Sequence, residues 1–184
     1  MSTLGKILPI DDPSKPPVEY AIEIGTIPKP EWGAPLPQVI ANESRVLLIY
    51  ALRRPLPENQ SGLCVFTEDT PSPWAVVDFW PVHDHRFGGF SDILRDRHPL
   101  ANSGLNMGGV HIVENSQWKL KILSEIHPNP ITFGPPRPEP IHYIFTFHDS
   151  MFECIAGQPT TLVITGTARE VVQKVCAEML FVER

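Results

Sequence analysis

Apolar positions recur along most of this chain with the two-residue period of strands and change to the helical period near its end. The clearest stretch is 141–156, where two apolar runs flank Asp149-Ser150 and read as a β-hairpin. A two-residue loop there sets Phe147 opposite Phe152 and Phe145 opposite Cys154. Phe145, Phe147, Phe152 and Cys154 then line one side as an aromatic patch that belongs in a core. Asp-Ser lacks the glycine that tight loops prefer, which leaves room for a longer one. Both faces of the hairpin are largely apolar, as in central strands.

Val18 to Ile24 alternates, with Val18, Tyr20, Ile22 and Ile24 predicted to face inward. Residues 28–38, with Trp32 among four prolines, form a loop over the core edge. Arg45 to Leu52 is continuously apolar, the mark of a strand covered on both faces. Further strands are expected at 63–67, at 74–80, which Pro81 ends, and at 108–113. The segment 116–126 fits both periods: Trp118, Leu120 and Ile122 alternate, while Trp118, Ile122 and Ile126 also stack along a helix. Ser116 as an N-cap and the lysines that follow favour helix. Thr167-Ala-Arg-Glu170 has the form of a capping box, and apolar residues from Ala168 to Leu180 then repeat at helical spacing. Such a helix is stable only when docked, and the sheet holding the hairpin is the expected platform.

The 21 prolines, about twice the average share, cluster between these segments and leave no long linker. Residues 1–17 read as a flexible N-terminal arm and 18–184 as one α+β domain. The expected architecture is a mainly antiparallel sheet of about six strands, with the C-terminal helix and one middle helix packed on it.

A net charge of −6, with Lys and Arg scattered, argues against a nucleic-acid partner. No stretch approaches the roughly 20 apolar residues of a membrane helix, and the N-terminus lacks the apolar run of a signal peptide. Cys64, Cys154 and Cys176 form no metal-type pair and sit among apolar residues, which favours a reducing, cytoplasmic setting. A homo-oligomer is compatible with all of this.

Candidate chemistry concentrates in His83-Asp84-His85-Arg86, followed by Asp92, Arg95, Asp96, Arg97 and His98. In extended chain His83 and His85 project to one side, roughly 6–7 Å apart, which suits two ligands of one divalent metal. His111, His142, His148 or Glu153 is available as a third ligand. The alternative is a solvated loop of weakly paired charges. Asp78 is anomalous, an acid sharing a strand face with Trp74, Val76 and Trp80. His148-Asp149-Ser150 resembles a catalytic trio only in composition, since neighbours in a strand point to opposite faces and a turn accounts for them. Cys154, between Glu153 and Ile155, fits a buried structural thiol better than a nucleophile.

The run Phe147-His-Asp-Ser-Met-Phe-Glu-Cys-Ile-Ala156 resembles a motif of a family of uncharacterised bacterial proteins. Weaker echoes of that family lie at His98-Pro99-Leu100 and at Val113–Trp118, and none before about residue 74. The resemblance implies no mechanism. With no catalytic constellation complete, the expected function is a non-catalytic binding or interaction module without an assigned cofactor. Its contact surface is drawn from Asp78, Trp80, Asp84, Arg86, His98 and His148 and from the proline-rich loops. The alternative is a small metal-dependent enzyme, hydrolase-like, with His83 and His85 as ligands and Asp78, Asp84 or Glu153 assisting.

Overall fold

The computed structural model describes residues 17–31, 33, 35–52, 69, 71–88, 96–126 and 138–178. Nine strands and two helices occur among them, and the strands form two antiparallel sheets instead of one sheet of six. The expected arm at 1–17 (save residue 17), the strand at 63–67 and the end of the last helix lie outside the described residues.

The hairpin sheet contains β1 (Tyr20–Glu23), β6 (Val110–Glu114), β7 (Ile141–Thr146), β8 (Met151–Ala156) and β5 (Val82–Gly88), in that order. The four-stranded sheet runs β2 (Gln38–Ala41), β3 (Val46–Ala51), β4 (Ser72–Phe79), β9 (Thr160–Gly166). Their facing sides enclose one core, in which Val46, Leu48, Tyr50, Val77 and Phe79 of the smaller sheet meet Tyr143, Phe145, Phe152 and Cys154 of the hairpin sheet. β3 is buried at every position, as its apolar run requires, because a second layer covers its other face. That layer is α2 (Ala168–Glu178), whose Ala168, Val171 and Val175 pack on Leu47, Ile49, Trp74 and Val76.

The last helix therefore docks on the four-stranded sheet and not on the hairpin sheet, whose inner face is already occupied. Its capping box forms as written: the Thr167 N–H donates to Glu170 Oε2 (2.8 Å) and the Glu170 N–H to Thr167 Oγ1 (3.2 Å). The middle helix is α1 (Gln117–Ile126), capped by Ser116, whose Oγ accepts the Lys119 N–H at 3.1 Å. It covers the outer face of the hairpin sheet beside the loop 96–109, whose Leu100 and Leu105 pack on Ala21, Val113, Ile144 and Met151. The layers thus run helix, sheet, sheet, then helix and loop.

Two local expectations are corrected. The hairpin pairs Thr146 with Met151 and Phe145 with Phe152 around a four-residue loop, closed by the Phe147 N–H on the Ser150 carbonyl (2.9 Å). The slip of two keeps every residue on its expected face, so Phe145, Phe147, Phe152 and Cys154 do line the core. In β1 the buried residue is Ala21, under the loop 96–109, while Tyr20 and Ile22 are about two-fifths exposed. Among the described residues β1 is an edge strand.

Candidate functional site

The site is built on the outer face of the hairpin sheet, and a β-bulge decides which side chains reach it. Val82 pairs with Ala156 and Asp84 with Ile155, so His83 is an extra residue with no place in the ladder. Past this point Asp84 and Arg86 face outward, opposite Ile155 and Glu153, while His85 faces Cys154 and the core side. The His85 ring lies 6.4 Å from that of Phe152. The bulge interrupts the simple alternation on which the expected His83–His85 pair rests. Glu153 and His142, two of the candidate third ligands, lie on the opposite face of the sheet from His85. Among the described residues no group of three His, Cys, Asp or Glu side chains has metal-holding geometry.

What the outer face does assemble is a mostly buried carboxylate between two imidazoles. Glu153 Oε2 lies 3.3 Å from His142 Nε2, and Oε1 lies 3.7 Å from His98 Nε2. His98 Nδ1 accepts the Leu100 N–H at 3.1 Å, which in the neutral ring places the proton on Nε2, toward Glu153. His142 Nδ1 is 2.8 Å from Ser116 Oγ. Since Nε2 of His142 faces a carboxylate it carries the ring proton, and the Ser116 hydroxyl then donates to Nδ1. Burial by itself raises the Glu153 pKa, but His142 and His98 outweigh it and bring the value down to about 2.

The order Ser116 to His142 to Glu153 has the polarity of a hydrolase relay. Ser116 is nevertheless completely buried and its oxygen caps α1, so no substrate carbonyl reaches it. The network is a fully engaged anchor for the helix and the loop above it. Trp118 stands on this anchor, its ring edge-on to His142 at 5.1 Å, with Nε1–H donating to Asp84 Oδ2 at 3.2 Å. The Arg86 guanidinium caps the other side, 4.1 Å from the indole centroid.

Of the residues named from sequence, Asp84, Arg86, His98, His142 and Glu153 meet here. Asp78 does not: it lies in β4, buried in a two-bond ion pair with Arg45. Trp80 stands half-exposed in the connection between the sheets. His148 is at the hairpin tip, 2.9 Å from Asp149, in the turn the sequence predicts. His111 is buried in β6, its Nε2 accepting the Asn106 N–H at 3.2 Å, and burial lowers its pKa. Cys154 is fully buried with its thiol pKa pushed well up by that burial. Ser116 and Trp118 were read only as cap and helix residue.

The cluster carries a pH signature. A carboxyl depressed in the fold contributes stability that is complete above its ordinary value of 4.5 and is lost as pH falls toward about 2. Glu153→Gln removes the titration. The stability difference between the parent and Glu153→Gln should therefore shrink by roughly 2.4 kcal/mol from pH 5 to pH 2.5. Urea unfolding at both pH values checks this, and a difference that stays constant refutes the anchoring role.

No family model, curated protein or solved structure matches the chain.

Proposed function

We propose that this is a non-catalytic interaction protein of the reducing cytoplasm, and that it recognises a partner protein along strand β5 and the Trp118 face beside it. The observation that carries this reading is the set of exposed side chains there. Trp80 and Phe87 are each 47% exposed, and Arg86 is exposed beside Phe87 on the opposite face of the strand. Trp, Arg and aromatic residues are the types that dominate binding energy at protein interfaces. Among the described residues β5 is also an edge strand of its sheet, its Val82 and His85 N–H groups already donating to the Ser44 carbonyl and Asp84 Oδ1 and the stretch beyond them open to an added strand.

Rigidity supports the same reading. Trp118 is held by Asp84 and His142 and covered by Arg86, so the recognition face is ordered before a partner arrives. The acidic balance of the chain favours a protein partner over nucleic acid. Cys154 and Cys176 are free thiols, as a reducing compartment keeps them.

The test places a photo-cross-linking amino acid at Phe87 and irradiates the protein in its native cells. A discrete cross-linked species is expected, reduced about tenfold or more by Arg86→Glu, a surface change that leaves the fold intact by circular dichroism. Absence of any cross-link from both Phe87 and Trp80 rejects the proposal, as does a cross-link indifferent to Arg86→Glu.

A further inference from the structure

A pocket of about 530 Å³ opens at the rim of the sandwich, away from the site described above. Its walls are apolar: Ile24 after β1, Ile112 of β6 and Ile141 of β7. Gln158 and Thr161 form part of a polar mouth, and among the described residues no Asp, Glu, Lys, Arg or His lines it. The volume is in the range of small-molecule sites, and the lining mixes apolar side chains with the polar groups of Thr26, Tyr143, Gln158 and Thr161.

Tyr143 lines this pocket while being only 3% exposed overall, its ring 5.4 Å from Phe79. Among the described residues its hydroxyl has no hydrogen-bond partner. The other buried tyrosine, Tyr50, donates to the Pro28 carbonyl at 2.6 Å, as a buried hydroxyl ordinarily does. The Tyr143 hydroxyl is not among the fully buried polar atoms, so it opens to the pocket, where a ligand oxygen replaces water as its partner. Burial raises the Tyr143 pKa to about 12, so near neutral pH it stays protonated and able to donate.

We propose that this pocket binds a small uncharged organic molecule, an apolar body carrying one hydroxyl or carbonyl oxygen that accepts the Tyr143 hydroxyl proton. A charged ligand is disfavoured because the lining offers it no counter-charge and removes it from water. This site is independent of the β5 surface, and either stands without the other.

The experiment titrates the full chain, labelled with nitrogen-15, with 2-naphthol, naphthalene and 2-naphthalenesulfonate, following amide shifts by NMR. Saturable shifts with 2-naphthol below about 1 mM are expected at Ile24, Tyr143, Gln158 and Thr161, with the sulfonate at least tenfold weaker. Tyr143→Phe should weaken 2-naphthol about fivefold and leave naphthalene unchanged. Thr161→Trp, an exposed rim substitution that leaves the core untouched, should block both. The proposal is overturned if no probe saturates at these amides, if the sulfonate binds as tightly as 2-naphthol, or if Tyr143→Phe leaves 2-naphthol binding intact.

Discussion

Asp78→Ala should destabilise the protein by about 3–5 kcal/mol, read as a large fall in the urea midpoint with little change in slope. Asp78 and Arg45 are 2% and 7% exposed, and the guanidinium meets the carboxylate through Nε at 2.9 Å and Nη2 at 2.8 Å. Arg45 lies two residues before Leu47, the cross-strand partner of Asp78, so the two charges share a face as diagonal neighbours. Removing the carboxylate leaves a buried guanidinium without the ion that offsets its desolvation. Replacing both, as Arg45→Met with Asp78→Leu, should recover most of the loss, because the attraction of such a pair roughly balances the cost of burying it. A single variant that loses under about 1 kcal/mol would mean that solvent reaches Arg45, and would sink the account.

Phe79→Ala should cost a similar amount, about 3–5 kcal/mol, through a different mechanism. Phe79 is fully buried at the centre of the sandwich, with ring centroids of Tyr143, Phe152 and Phe145 at 5.4, 5.7 and 5.9 Å. It bridges the two sheets, so truncation removes contacts to three rings of the opposite layer and opens a cavity that close-packed neighbours fill only in part. Phe87→Ala is the control. Half-exposed on β5, it should change stability by no more than about 0.5 kcal/mol. Equal losses in the two variants would show that the sheets are not joined through Phe79.

Much of this architecture was legible from pattern, and the gaps have physical causes. β3 and α2 follow from continuous burial and from a capping box, both written locally in the chain. β9 escaped because among the described residues it is an edge strand, with Thr160 to Val163 all exposed, so no apolar alternation marks it. The division into two sheets was implicit in β3: an antiparallel strand apolar on both faces needs a layer on each side, which one sheet with helices on a single face does not supply. Asp78 stood out as an acid in an apolar strand, but its partner lies 33 residues earlier. Likewise Ser116 announces a cap, yet nothing local says that its hydroxyl also meets His142, 26 residues on. The site was visible as separate residues and not as a group, because its assembly depends on ladder pairing and on how the loop 96–109 folds back.

The extra residue at position 83 has a consequence for how this protein tolerates change in length. Among the described ladders, here the chain carries one residue more than its pairing needs. A deletion at this point leaves the partners of Asp84 through Gly88 in place and keeps Arg86 outward. The loss of one residue between Trp74 and Phe79 has no such slack. It reverses the faces of the strand on one side of the gap, bringing the charge of Asp78 into the sandwich core or turning Phe79 out of it. Insertions and deletions are therefore expected to accumulate beside the recognition strand, where they adjust its reach, and to be excluded from the strand that joins the layers.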